Sequence, residues 1–306
     1  MKPLFTLIFC LIMVLVQAQT FEELIQQADQ SYKEEKYSES AEIYQNAFKI
    51  KEGSAYQYYN AACSFALSGN KELALNYLSK STDKGWMNVK HLKRDKDLAS
   101  LHDEPEWERI LEKVQANLDV YEKDFDKPLK AQLENIYVRD QTLRQLYREA
   151  EEKFGEGSDE MNYFWQLVSE QDSLNELEVV KILEERGWVG RSQVGGQANM
   201  ALWLVIQHAP VEMQEKYLPL LKASVLEGES QGSHLAMLED RVQMFKGEPQ
   251  TYGSQIVPDE VTGKMKVYEI REPEYVNQRR KEVGLGPIEE YVRIWNIEWT
   301  VEQKEK

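Results

Sequence analysis

Cysteine is almost absent from this 306-residue chain, which carries two, Cys10 and Cys63. Cys10 falls inside an N-terminal apolar run. Once that run is removed only Cys63 remains, and a single cysteine cannot close an internal disulfide. Positive charge is scarce as well: Lys and Arg number 37 against 53 Asp and Glu, a net charge of −16, and no long basic run interrupts the acidic balance. A nucleic acid or an anionic membrane surface needs a basic face that displaces counterions, so neither is expected as a partner. H-E-x-x-H and paired C-x-x-C patterns are missing. The four histidines, His91, His102, His208 and His234, show no metal-ligand spacing, so no metal and no cofactor is expected. Cys63 lies beside Ala61 and Ala62 and reads as core rather than nucleophile.

What is present begins with one long apolar run. Lys2 supplies a positive start, and Leu4 to Val16 is broken only by Thr6 and Cys10. Val16-Gln17-Ala18 ends on the small residue that signal peptidase requires. Residues 1–18 therefore read as a cleaved signal peptide, giving a start at Gln19 and a periplasmic or secreted protein with no stable membrane insertion. The run is short for a bilayer span. Losing Lys2 takes the net charge from −16 to −17. The remaining chain is rich enough in apolar residues, 42% overall, to fold as a globular protein.

Positions 34 apart match through the first hundred residues. Leu24 pairs with Tyr58, Ala28 with Ala62, Ser40 with Ala74, Tyr44 with Leu78 and Ala47 with Ser81. The small residues suit close helix approach and the large ones fill space between pairs. The spacing predicts helices over Phe21–Glu34, Ser38–Ile50, Ser54–Leu67 and Lys71–Ser81, with breaks at Glu35-Lys36 and Gly69-Asn70. A further pair, Val89–Leu101 and a helix opened by Pro105, would cap the stack. This segment, residues 19–118 with its capping helices, resembles the tetratricopeptide repeat family. That resemblance implies a groove that binds a peptide or partner protein.

From Pro128 onward the helical spacing continues. Helices are expected from Pro128 to about Gly155, over Leu174–Arg186, and over the strongly apolar Gln197–His208. Two more fall at Glu212–Glu227 and Ser233–Phe245. Gln255–Val257 and Lys266–Ile270 flank a turn and read as a small β-hairpin. Short helices at Pro273–Glu282 and Ile288–Ile297 close the chain. The expected fold is mainly α: tetratricopeptide-type hairpins, then a mostly helical domain over residues 119–306 with one small β-hairpin.

The second half also carries a set of polar signatures: Gln207-His208-Ala209, Asp240-Arg241, Tyr252-Gly253-Ser254-Gln255 and Arg279-Arg280. Upstream stand Asp140-Gln141-x-x-Arg144, Asp172-x-x-Asn175 and Gly187-Trp188. From Lys127 to Ile297 the chain resembles an uncharacterised bacterial domain family with QHA, DR and YG(T/S)Q signatures. The resemblance implies a fold unit and a polar site, not a reaction. The family often has an acidic residue soon after QHA, whereas here Ala209-Pro210 precede Val211-Glu212.

The chemistry of these residues allows two readings of each. His208 closes an apolar helix and can serve as acid/base or as a helix-end structural histidine. Asp240 is the second catalytic candidate. Gln207, Arg241, Tyr252, Gln255, Arg279 and Arg280 are candidate ligand-binding residues, with Arg241 suited to a carboxylate or phosphate. Structural ion pairing and turn formation are the alternatives for the same residues. Arg271, Arg279, Arg280 and Lys281 form a cationic patch for a small anionic ligand, or pair with the protein's own carboxylates. Ser192-x-Val194-Gly195-Gly196 could form an anion nest. The overall expectation is an exported interaction module. The alternative is a hydrolase or transferase acting on an anionic substrate, with His208 as acid/base.

Overall fold

The computed structural model describes residues 20–305 of the chain. The signal-peptide segment, residues 1–18, lies outside the described residues. The fold is mainly α with one two-stranded antiparallel sheet, and the chain divides into two compact units at Lys123 and Asp124.

In the first unit Thr20 opens α1 (Phe21–Lys33) with a capping box: its hydroxyl accepts from Glu23 N while Glu23 accepts from Thr20 N. Ser54 repeats the device with Gln57, 34 residues later, at the head of α3 (Ala55–Leu67). These first helices pack against α2 (Tyr37–Ile50) and α4 (Lys71–Asp83) respectively. All ten residues of the five 34-spaced matches are buried, so the period is a packing period. Ser40 shows why small residues recur: its hydroxyl donates to Ala28 O of the neighbouring helix and meets Ser64 of the next pair. Ser81 likewise donates to Ala55 O. Then come α5 (Val89–Arg94), a 3-10 turn (Lys96–Leu101) and α6 (Pro105–Tyr121). The expected single helix over Val89–Leu101 is therefore broken, because Asp95 adopts extended backbone and caps Asp97 N with its own carboxylate.

In the second unit two 28-residue helices, α7 (Lys127–Phe154) and α8 (Asp159–Arg186), pack together. The expected start of α8 at Leu174 is corrected to Asp159, where Ser158 caps Met161 N. Its buried face runs Met161, Val168, Asn175, Ile182, one residue every heptad. The connection that follows holds one helical turn, α9 (Arg191–Val194). Then α10 (Gly196–His208) lies against both α7 and α8 with eight of its thirteen residues buried. Helices α11 (Val211–Leu226) and α12 (Gly232–Phe245) pair with each other. The core joins Leu133 and Ile136 of α7, Val179 and Leu183 of α8, Leu202 and Ile206 of α10, Leu221 of α11 and Leu238 of α12. The hairpin is shorter than expected: β1 (Ile256–Pro258) pairs with β2 (Met265–Val267), Val257 facing Lys266. Helices α13 (Val276–Glu282) and α14 (Ile288–Arg293) close a small satellite core around Val276, Ile288 and Val292.

Candidate functional site

Three signatures that stand far apart in sequence meet at one cluster. Asp140 continues the buried α7 stripe Leu129-Leu133-Ile136, so a carboxylate occupies a position the helix turns toward the core. It is 1% exposed. His208, at the end of α10, brings Nδ1 to 3.1 Å from Asp140 Oδ1. Gln141 donates to Asp140 Oδ2 at 2.7 Å. Arg144, one turn along α7, donates to the Asp140 carbonyl and reaches Oδ1 at 3.3 Å. Nη2 of the same guanidinium donates to both carboxylate oxygens of Asp172 on α8, at 2.8 and 2.9 Å. Burial alone would raise the Asp140 carboxyl. The His208 hydrogen bond and charge, Gln141 and Arg144 outweigh burial and hold it below its ordinary value.

An ionised carboxylate only accepts, so Nδ1 of His208 carries the proton in this pair, and in the neutral ring Nε2 is the basic nitrogen. The His208 side chain is 22% exposed, which lets solvent reach it. A buried carboxylate that orients a partly exposed imidazole is the arrangement of an acid/base group. Asp140, Asp172 and His208 also bring one ligand atom each within 4.8 Å of one another. Histidine spacing carries no trace of that grouping, because its carboxylates come from two other helices. Arg144 already bridges both carboxylates, supplying the positive charge there.

The second group of sequence candidates does something else. Asp240 is fully buried and accepts three backbone amides: Thr251 N and Tyr252 N on Oδ1, at 2.8 and 2.9 Å, and Ser254 N on Oδ2 at 2.9 Å. Burial pushes its carboxyl up, and these amides pull against that. Arg280 donates to the carbonyls of Tyr252 and Gly286, and Arg279 to those of Thr251, Arg271 and Glu272. Gln255 donates to Met237 O and Ser254 Oγ. Gly253 has φ 71°, and a Cβ there would lie 2.6 Å from Ile288 Cδ1. The Thr251–Gln255 segment is thus a tight loop whose amides are held by the Asp240 carboxylate and whose carbonyls at Thr251 and Tyr252 are held by Arg279 and Arg280. Of the four residues expected to form a cationic patch, Arg280 is buried and Arg279 donates to carbonyls, while Arg271 and Lys281 are exposed.

Arg241 links the two groups by donating to Gln207 O at 2.6 Å. Among the described residues no carboxylate is paired with it, and burial lowers its pKa. Gln214 donates to Gln207 O and Ala209 O, closing the end of α10. The side-chain oxygen of Gln207 and Nε of Arg241 are buried without a partner. The expected nest at Ser192 is filled from within, since Glu229 Oε2 accepts Ser192 N at 2.8 Å.

One pattern escaped motif reading. Gly228-Glu229-Ser230-Gln231-Gly232 has the spacing G-x-S-x-G. Ser230, however, joins two helices rather than a strand and a helix, and its hydroxyl is taken up by Asn199 and Ser224. It lacks the strand–turn–helix context that would expose a nucleophile.

The first unit holds a further polar site. A cavity of about 450 Å3 lies on the side formed by α1, α3 and the α5 segment, and Asp29, Asp95 and Asp97 line it. Tyr44 donates to Asp29, Tyr32 to Asp97, and Tyr59 to Asp95 at 2.7 Å. Burial first, then the adjacent carboxylates, raises the Tyr32 and Tyr59 phenols. Cys63 borders the same cavity as a buried thiol, pushed up by burial and by Asp95.

Residues 127–304 match the model of a family of unknown function, DUF6624. Residues 20–118 match the model described as A/B hydrolase-like, N-terminal domain. The helices of that segment are repeat-like in arrangement, as expected, and no tetratricopeptide family model matches them. No curated protein and no solved structure matches the chain.

Proposed function

We propose that this chain, which belongs to the DUF6624 family of unknown function, is an exported interaction protein. Its tetratricopeptide-like first unit would dock a short peptide or partner segment, and its second unit would carry a separate polar site for a ligand. The observation that carries this reading is the cavity on the first-helix side of the stacked pairs, where repeat-type stacks offer a binding surface. Two repeats and a cap form a short surface, which fits a short docked segment. Export rests on the signal-peptide pattern of residues 1–18. The test is selection of displayed peptides against the full chain from Gln19, repeated on the Asn60→Trp variant, which fills the cavity. Peptides that bind the parent chain and lose the variant are expected. A selection that enriches nothing, or peptides indifferent to Asn60→Trp, contradicts docking.

A second reading has its own observation. The His208–Asp140 pair supports an acid/base role in the second unit, where the carboxylate beside the histidine is Asp140 and not the other catalytic candidate, Asp240. Arg144 and Arg241 are the nearby cations for an anionic substrate. The A/B hydrolase-like description attaches to the matched N-terminal family, and residues 20–118 contain no strand among the described residues. It therefore lends this second reading little weight. Turnover of 4-nitrophenyl acetate and 4-nitrophenyl phosphate by the full chain tests it. His208→Gln should lower any turnover by about 10²–10⁴-fold, and unchanged turnover would end the reading.

A further inference from the structure

Resting on the reading of the first unit as a docking surface, we propose that its cavity receives a cationic side chain of the docked segment. The occupant is a lysine ammonium or an arginine guanidinium, held by Asp29, Asp95 and Asp97.

All three carboxylates are hydrogen-bonded within the unit. Each accepts a phenol hydroxyl, from Tyr44, Tyr59 and Tyr32 respectively. A phenol donor fixes a carboxylate's orientation and leaves its charge in place. Elsewhere in the unit, acidic side chains pair with lysine: Glu34 with Lys36, Glu52 with Lys84, Asp83 with Lys113 and Glu104 with Lys71. Among the described residues no Lys or Arg pairs with Asp29, Asp95 or Asp97. His91 brings Nε2 to 3.4 Å from Asp95. Lys33 also borders the cavity, so three carboxylates against one lysine leave a formal −2. A cavity that concentrates one sign of charge between low-dielectric walls focuses its field on an ion of the other sign.

The backbone contributes to this arrangement. The break at Asp95 turns both Asp95 and Asp97 toward the same cavity, which a continuous Val89–Leu101 helix would not do. The walls suit an organic cation. The Tyr59 ring stacks on Trp86 with centroids 4.2 Å apart and contacts His91 at 5.3 Å, which holds the ring rigidly. Aromatic faces beside carboxylates favour ammonium and guanidinium groups. A bare divalent ion is the competing occupant, because Cys63, Asp95 and Asp97 offer ligand atoms within 4.8 Å of one another. The 450 Å3 volume accommodates a side chain and greatly exceeds a metal's coordination shell.

The experiment is calorimetric titration of the full chain from Gln19 with acetyl-Ala-Ala-X-Ala-Ala-amide, where X is lysine, arginine, norleucine or glutamate. Cadaverine, calcium and zinc form further arms. The lysine and arginine peptides should bind about tenfold or more tightly than the norleucine peptide, and weaken as salt rises. Asp97→Asn should remove most of that preference with the melting temperature held. Should Asp97→Asn disturb the turn, Asp29→Asn serves the same purpose on a different helix. Equal binding of the norleucine or glutamate peptide overturns the cationic occupant while leaving docking intact. Binding of no peptide at all removes the docking reading as well. Displacement of the lysine peptide by calcium or zinc assigns the cavity to a metal and overturns the proposal. Cadaverine binding tighter than the lysine peptide assigns it to a free amine and overturns the side-chain occupant.

Discussion

Asp140 and Asp240 are both buried carboxylates, and opposite kinds of partner hold them. Asp140 is surrounded by side chains of an imidazole, an amide and a guanidinium, whereas Asp240 is surrounded by main-chain amides. Removing a carboxylate that satisfies three buried N–H groups strands all three. Asp240→Ala should therefore cost about 3 kcal/mol or more, a fall of roughly 6–12 °C in melting temperature; a scanning-calorimetry shift below 2 °C would argue that the loop does not depend on it. His234 gives a pH signature. It is buried, stacked on Trp203 with centroids 4.0 Å apart, and burial pushes its pKa from 6.5 down to about 4. The unfolded chain then binds a proton that the folded chain refuses. This contribution to stability is complete above pH 6.5 and drains away as pH falls toward 4, by at most about 3 kcal/mol. Urea titrations at pH 7 and pH 4.5 should show a smaller loss for His234→Phe than for the parent; parallel losses would contradict the assignment. At this scale the sequence was informative where a charge broke a pattern. Asp140 stands in register with Leu129, Leu133 and Ile136, and that misfit is visible without coordinates. The role of Asp240 was not legible, because backbone amides carry no letter in the sequence.

Elements were legible wherever a period or a cap announced them. The 34-residue period marks the first four helices because each buried position has a counterpart one pair later. It extends even to the turns: Glu35 and Gly69, 34 apart, both adopt positive φ, 60° and 85°. Only the second is a glycine. Glu35→Gly should therefore relieve strain and raise stability by about 1 kcal/mol or less, and a lowered melting temperature would show that the Glu35 side chain contributes more than its backbone costs. The first half of α8 was missed because Tyr163, Phe164 and Trp165 crowd three apolar residues together and blur the stripe. The heptad Met161-Val168-Asn175-Ile182 and the Ser158 cap were the usable signals. Ser158→Ala should cost about 1 kcal/mol, read by denaturant unfolding. The break at Asp95 was hidden for a different reason: aspartate is tolerated in a helix, and only its capping of Asp97 N reveals the turn.

For the whole molecule, the chain divides between Lys123 and Asp124 into two units, each with its own core. The mainly α class and the small hairpin followed from periodicity. The repeat-like arrangement of the first unit followed from the 34-residue period as well, but a period alone does not name a family, since stacked helical pairs are shared by more than one. The proposed docking surface lies in the first unit, and the His208–Asp140 cluster in the second. Hydrogen exchange on the full chain, with and without a saturating lysine-bearing peptide, tests that division most directly. Added protection is expected in α1, α3 and the Lys96–Leu101 turn, with α7 and α10 unchanged. Protection confined to α7 and α10, or found nowhere, would contradict it.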